Sequence, residues 1–251
     1  MRLRAVFIAQ LGFFILLAAI WELISRMGWV DPRLLPSFFT VVDVLGGLLT
    51  DPRFLGDLGV TGLEVGVAFL IAAPLGVSIG FLLGEKLYLG QVLSPIFHFM
   101  MAVPQSIFLP VFMLVFGIGF LEKVIFGITH ALFVIVVTTT AAVRSVPREY
   151  VTLATAFGAT PRQIYLRIYL PAMLPLVMTG LRLGMIFNII GVLLAEMDAG
   201  RAGIGRLLFS WGEGFQLDLL LAGILLVSLM TVLINEVMRY CESRAAGGQP
   251  I

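Results

Sequence analysis

Charged residues are scarce in this sequence: they make up 12% of the 251 residues, whereas hydrophobic residues make up 60%. Soluble domains carry about 25% charged residues, so this composition excludes an ordinary soluble domain. The charges also cluster between long apolar runs, as membrane spans require. The single cysteine, Cys241, excludes a disulfide within the chain. A net charge of +1 offers no electrostatic basis for binding nucleic acid.

The sequence also lacks the residue clusters of catalytic and metal sites. It has no glycine-rich phosphate loop and no Ser-His-Asp arrangement, and its two histidines, His98 and His130, lie far apart. We therefore expect no catalytic residue, no metal and no cofactor in this chain, and no enzymatic activity. Two kinds of membrane protein stay open as alternatives: an intramembrane enzyme, and a passive channel or scaffold subunit.

Six apolar segments predict an all-α membrane protein with about six transmembrane helices. The predicted spans are residues 5–24, 61–84, 93–116, 124–143, 172–196 and 217–238. The first could also be a signal peptide, but it is long for one and no small-residue cleavage site follows it. We thus predict a first span with an external amphipathic segment over 1–60, a core transmembrane domain over 61–240 and a tail over 241–251.

The external segment is predicted to be helical from the spacing of its apolar residues. Its apolar positions are Phe38, Val41, Val42, Leu45, Leu48 and Leu49. Residues at this spacing fall on one face of a helix, so we expect a short helix lying at the outer membrane surface.

Two short helices joined by a tight turn are predicted inside the loop 144–171. The first has an apolar stripe made of Tyr150, Leu153, Ala154 and Phe157. Gly158 is a usual helix end, and Thr160, Pro161 and Gln163 form the pattern of a capped helix start. Pro171, which has no N–H to donate, is expected to end the second helix. The plain alternative is an amphipathic loop resting on the membrane.

An even number of spans places both termini on one side of the membrane. More lysines and arginines fall on that side than on the other. By the positive-inside rule, both termini and the loop 144–171 are therefore expected in the cytoplasm.

The loop resembles the cytoplasmic EAA loop of ATP-binding-cassette (ABC) importer permeases. The matching positions are Ala154, Gly158, Ala159, Ile168, Leu170 and Pro171, and Thr152 stands where the family has a glutamate. Further segments are similar to the nitrate/sulfonate/taurine branch of these permeases: Leu35-Pro36-Ser37, Phe116-Gly117-Ile118-Gly119 and Gly180-Leu181-Arg182. The likeness covers about residues 35–240. It implies the type I ABC importer permease fold, with coupling helices between spans four and five.

The resemblance also implies a function and partners. The chain would be the permease subunit of an ATP-driven importer in the inner membrane, paired with a second permease copy or a homologue. An ATPase dimer, which binds the ATP and Mg, would dock on the loop, and a solute-binding protein would deliver a small solute of the nitrate/sulfonate/taurine type. The implied coupling residues are Leu153, Ala154, Phe157, Gly158, Ala159, Thr160, Pro161 and Arg162.

Polar residues inside the spans are candidates for lining the translocation path. A charge at the bilayer centre costs about 2.5–3.5 kcal/mol on insertion scales, so it normally faces protein or water. The candidates are Glu64, Gln105, Arg182, Asn188 and Glu196. Glu64 stands where the resembled branch commonly has arginine.

Structural roles are the alternative for the same polar residues. Arg182 could extend to the headgroups or form an ion pair between helices. Asn188, Gln105, His98 and His130 could form hydrogen bonds between helices. A set of glycines in the second span, Gly66, Gly76, Gly80 and Gly84, would allow close helix packing.

Overall fold

The computed structural model describes residues 2–31 and 33–245, and the side chains of 9–10, 12–31, 33–198 and 200–244. All regular structure in these residues is helical, which confirms the predicted all-α class. The helices are α1 (Arg2–Arg26), α2 (Phe38–Leu48), α3 (Pro52–Glu85), α4 (Leu87–Ala102), α5 (Leu109–Phe116), α6 (Phe120–Arg144), α7 (Arg148–Ala156), α8 (Pro161–Ile164), α9 (Leu170–Ala199), α10 (Ile204–Glu213) and α11 (Leu217–Ala245). A 3-10 turn, Gln105–Phe108, precedes α5, and a π-helix, Tyr165–Tyr169, joins α8 to α9.

Several of these helices are long and apolar enough to cross a membrane. Among the described residues there are four: Pro52–Glu85, Phe120–Arg144, Pro161–Asp198 and Leu217–Arg244. Helix α4 and the segment Gln105–Phe116 pass the same test together, although they are bent by 85°. Helix α1 covers the predicted span 5–24, but the side chains of residues 2–8 and 11 lie outside the described part.

The centre of the bundle is formed by α3, α6 and α9. Three glycines of α3, four residues apart, lie against α6. A Cβ added at Gly76 would meet Ile135 Cγ2 at 2.7 Å, and one added at Gly80 would meet Thr139 Cβ at 2.6 Å. A Cβ added at Gly84 would likewise meet a side chain of α6. Only glycine permits so close an approach of the two helices.

A second core lies between α2, α10 and α11. Its buried residues include Val41, Phe54, Trp211 and Ala222, and the rings of Phe54 and Trp211 stack at 6.2 Å. The predicted amphipathic helix therefore exists as α2, but Val41 packs inside the protein. Helix α1 is attached to this region, because the Trp21 indole N–H donates to Pro36 O at 3.0 Å.

The segment 93–116, predicted as one span, contains a sharp bend. Helix α4 ends at Ala102, and the segment Gln105–Phe116 is bent from it by 85°. Helix α5 ends at Phe116, and the following Gly117 has φ +75°. Pro104 has no N–H and restricts the residue before it, so it favours the break at this position.

The prediction that Pro171 ends the second loop helix is also wrong. The helix runs on through the π-helix Tyr165–Tyr169, in which the Leu170 N–H donates to Tyr165 O. The change from π to α spacing places Pro171 in the first turn of α9, where its missing N–H is tolerated.

Two of the predicted segment limits fall inside helices. The limit at 60/61 lies within α3, and residues 241–245 belong to α11 rather than to a separate tail. Residues 246–251 of that tail lie outside the described residues. Helix α10 was not predicted, although Ile204, Leu207, Leu208 and Trp211 have the spacing of one helix face.

Candidate functional site

A pair of helices projects from one end of the bundle. We call residues 148–164, which include α7 and α8, the coupling segment, and the end that carries it the loop end. No residue of α7 is buried. The side chains of Tyr150 and Leu153 are each 56% exposed, and that of Phe157 is 88% exposed. Together these side chains give the projecting pair an exposed apolar stripe, of the kind found where a protein contacts a partner or a membrane surface.

The turn in the coupling segment has the geometry expected from its glycine. The Gly158 N–H donates to Thr155 O and the Ala159 N–H donates to Ala154 O, both at 2.9 Å. These two bonds form a Schellman motif, in which the left-handed position is Gly158 with φ +77°. A residue with a Cβ would be strained there, so the glycine fixes the angle between α7 and α8.

The start of α8 confirms the predicted capping box. The Thr160 N–H donates to Gln163 Oε1 at 2.8 Å, and the Gln163 N–H donates to Thr160 Oγ1 at 3.4 Å. Pro161 occupies the first helical position, and the neighbouring Arg162 is exposed. The remaining predicted coupling residues, Ala154 and Ala159, are partly buried between the two short helices and the turn.

The coupling segment is tied to the membrane helices at the loop end. The Tyr165 hydroxyl donates to the Glu85 carboxylate at the end of α3. Arg144, which precedes the segment, donates from Nη2 to Leu83 O at 3.3 Å. The residues that flank the segment thus contact α3, and α8 continues into α9.

Glu196 lies at the opposite end of the bundle and is fully buried. Its carboxylate accepts hydrogen bonds from Thr61 Oγ1 and from the Gly205 N–H, both at 2.7 Å. A Cβ at Gly203 would overlap the same carboxylate. Glu196 thus satisfies an N–H in the first turn of α10 and joins α3, α9 and α10.

Glu64 belongs to a buried charged group at this opposite end. Its Oε1 atom lies 4.0 Å from Lys123 Nζ, and its carboxyl group is adjacent to that of Glu196. Glu122 is also buried, and neither of its carboxylate oxygens has a hydrogen-bond partner among the described residues. Sequence reasoning missed Glu122 and Lys123. The sequence feature that could have indicated them is a pair of adjacent charges directly before the apolar run of α6.

Asn188 and Arg182 both connect α9 to another helix. The Asn188 amide, fully buried, donates from Nδ2 to Val65 O of α3 at 2.8 Å. Arg182 Nε lies 3.2 Å from Glu242 Oε2, and Glu242 also accepts a hydrogen bond from the Thr179 hydroxyl. Glu242 is buried although it was predicted to lie in a solvated tail, so sequence reasoning missed it.

Gln105 differs from the other path candidates because it lies in the bend between α4 and α5. It is partly exposed, and its Oε1 atom has no hydrogen-bond partner among the described residues. His98 and His130 contact carbonyls of their own helices, Ser94 O at 2.7 Å and Phe126 O at 3.0 Å. In the described part of the chain, no group of three or more His, Cys, Asp and Glu residues could hold a metal ion.

The same fold is found in a solved membrane transporter. A solved structure of the MetNI methionine ABC transporter, in inward-facing conformations, has the same fold, with a TM-score of 0.60. The two chains are 20% identical, and the match covers 84% of this chain and 98% of the other. The predicted ABC importer permease fold is therefore confirmed.

The chain belongs to the family of binding-protein-dependent transport system inner membrane components, whose model matches residues 72–247. It is 28% identical over 244 residues to a nitrate import permease protein of Leptolyngbya laminosa, covering 93% of this chain and 85% of that protein. It is 26% identical over 240 residues to the taurine transport system permease protein of Escherichia coli, covering 94% and 87%. These matches confirm the predicted branch and a transporter subunit rather than an enzyme.

Proposed function

We propose that this chain is the permease subunit of an ATP-driven ABC importer, and that the coupling segment is where a separate ATPase docks. The observation that supports the proposal is Phe157, an aromatic side chain that is 88% exposed at the tip of a projecting helix. ATP and Mg would be bound by the ATPase, while this chain forms the translocation path. The coupling residues are those predicted from the sequence: Leu153, Ala154, Phe157, Gly158, Ala159, Thr160, Pro161 and Arg162.

The connections of the coupling segment provide a mechanism for transmitting motion. Closure of the ATPase dimer would push the rigid turn around Gly158. The continuous helix from Pro161 to Asp198 would carry that displacement into the membrane. The hydrogen bond between Tyr165 and Glu85 would pass part of it to α3. Packed helices switch between discrete arrangements, so such a push would favour one opening of the path over the other.

The proposal assigns an orientation and partners. The loop end faces the cytoplasm, so both termini do as well, in agreement with the positive-inside rule. A second copy or a related permease completes the path, and a solute-binding protein delivers substrate at the opposite end. The substrate is a small solute of the nitrate/sulfonate/taurine type, supported by relatives named for nitrate and taurine.

Of the residues that are candidates for lining the translocation path, Gln105 is the one that we assign to it. Irregular backbone at membrane depth is tolerated only where it is buried in protein or lines a water-filled cavity. The bend at Gln105 meets this description if it faces the second permease. Glu64, Arg182, Asn188 and Glu196 instead contact neighbouring helices of the same chain.

Replacing Phe157 with alanine tests the proposed function. Because the side chain is almost fully exposed, its removal should leave the fold intact. We expect uptake into proteoliposomes with the ATPase and binding protein to fall at least tenfold, because the docking contact is lost. Leu70→Ala is the control, since Leu70 is 74% exposed on α3, far from the coupling segment. Uptake equal to that of Leu70→Ala would contradict the docking role.

A further inference from the structure

The end of α10 has the same turn as the end of α7, with one difference. The Phe215 N–H donates to Gly212 O at 3.2 Å, and the Gln216 N–H donates to Trp211 O at 2.9 Å. These are the two bonds of a Schellman motif, as around Gly158. The left-handed position, however, holds phenylalanine with φ +52° instead of glycine.

Phe215 is strained without a packing gain inside the chain. In the left-handed conformation a Cβ crowds the following carbonyl, so a residue other than glycine destabilises the fold there. Among the described residues, Phe215 is the only non-glycine residue with positive φ. Its side chain is 75% exposed, so burial within the chain does not offset the strain. Strain of this kind is commonly found at sites that bind a ligand or partner.

The surroundings of Phe215 have the character of a protein-binding surface. A cavity of about 600 Å³ lies beside it, between the α1–α2 connection and the start of α11. Its lining includes Asp31, Arg33, Leu34, Thr40 and Asp218. Charged residues are costly in hydrocarbon, so this surface lies outside the apolar part of the membrane. An exposed aromatic side chain with a polar rim is typical of the centre of a protein interface.

We propose that Phe215 and this cavity are the docking site for the solute-binding protein. The inference rests on the proposed function, which places that protein at the end opposite the coupling segment. The family to which the chain belongs is described as dependent on a binding protein. Two carboxylates and one guanidinium line the rim, so the partner face presents an apolar pocket for Phe215 flanked by basic side chains.

Phe215→Gly separates docking from folding, because glycine removes the strain and the aromatic ring together. The probe is the purified solute-binding protein of the same transporter, titrated onto the assembled transporter in nanodiscs. We expect its Kd to rise at least tenfold, while the thermal midpoint of the permease stays the same or increases. Phe215→Tyr, which keeps the ring, should bind within about twofold of wild type.

The rim charges provide a second test of the same docking site. Asp218→Asn should weaken binding of the solute-binding protein and reduce its dependence on salt. Arg33→Gln, which removes the opposite charge, should leave binding unchanged or strengthen it. The reverse order of effects would overturn the proposed basic partner face.

Each other outcome contradicts the docking site in a defined way. An unchanged Kd for Phe215→Gly overturns it. A lower thermal midpoint assigns Phe215 to folding or to the lipid interface, and dissociation of the permease pair by native mass spectrometry assigns it to the second copy. If the wild type does not bind the solute-binding protein at all, the proposed function fails. Leu70→Ala, at an exposed position outside both docking sites, serves as the control and should retain wild-type Kd.

Discussion

Most of the buried polar side chains among the described residues connect two helices of the chain. Glu196 joins α9 to α3 and α10, and Asn188 joins α9 to α3. Arg182 and Glu242 join α9 to α11. An unpaired polar group in a membrane interior is costly, so each contact favours one arrangement of the helices. At the residue scale, the geometry therefore favours a structural role for these residues over contact with a moving solute.

The pair Arg182–Glu242 allows this structural role to be measured. In a double-mutant cycle of Arg182→Ala and Glu242→Ala, we expect a coupling of about 1–3 kcal/mol, because Glu242 is buried and fixed by Thr179. The matched control is the exposed pair Arg239–Glu236 on α11, whose coupling should stay below about 1 kcal/mol. Thermal or denaturant unfolding in detergent gives both values.

The contrary outcome for Arg182 is equally specific. Suppose that its coupling to Glu242 is near zero and that Arg182→Ala abolishes uptake without lowering stability. Arg182 would then belong to the translocation path, as one reading of the sequence suggests. Retained uptake in the folded variant supports the structural role.

At the scale of the helices and turns, sequence patterns predicted the structure well where it depends on contacts between residues close in the chain. The apolar stripe, Gly158 and the capping box at Thr160 depend on contacts within a few residues. They accordingly predicted the turn in the coupling segment and the start of α8. The apolar runs predicted α3, α6 and α9 for a similar reason, since span length follows from bilayer thickness.

Signals that depend on distant partners were missed or misread. Glu242 lies in a charged stretch, and nothing in that stretch shows that Arg182 is beside it. Pro171 cannot donate a backbone hydrogen bond and therefore resembles a helix end. The π-helix before it shifts the hydrogen-bond spacing, so that the helix continues past Pro171. The angle of 85° after Ala102 depends on how the two pieces of the broken span pack.

The glycines of α3 also show that the sequence does not reveal contacts with distant residues. In the sequence, Gly66 and Gly80 are equivalent small residues. In the structure, a Cβ at Gly80 would lie 2.6 Å from Thr139 Cβ and 2.7 Å from Val136 O, whereas a Cβ at Gly66 meets nothing within 4 Å. Only the packing of α3 on α6 distinguishes the two.

This difference predicts opposite effects for the same substitution. Gly66→Ala should stabilise the protein by about 0.5–1 kcal/mol, because alanine favours the helix. Gly80→Ala should destabilise it by about 1–3 kcal/mol, because α3 and α6 must separate. Thermal unfolding in one detergent checks both. Equal effects at the two positions would show that α3 does not meet α6 along Gly80.

At the scale of the whole molecule, the two ends of the bundle differ in how firmly they are held. At the opposite end, the carboxylates of Asp57 and Glu196 bind N–H groups at the start of α10, and Asp57 also pairs with Arg206 at 3.1 Å. At the loop end, α7 has no buried residue. The opposite end is held by buried hydrogen bonds, whereas α7 projects from the loop end. This arrangement suits a displacement applied at the loop end.

Hydrogen exchange in nanodiscs should reveal this asymmetry, and the partners should act on separate ends. Without partners, amides of Arg148–Ala156 should exchange fastest and those of the buried middle of α6 slowest. Adding the ATPase should slow exchange in Arg148–Ala156 and leave Ile204–Glu213 unchanged, whereas the solute-binding protein should leave Arg148–Ala156 unchanged. An unrelated soluble protein at the same concentration is the control. If the ATPase slows exchange only at the opposite end, the coupling segment has been assigned to the wrong partner, and the proposed direction of force through the bundle is reversed.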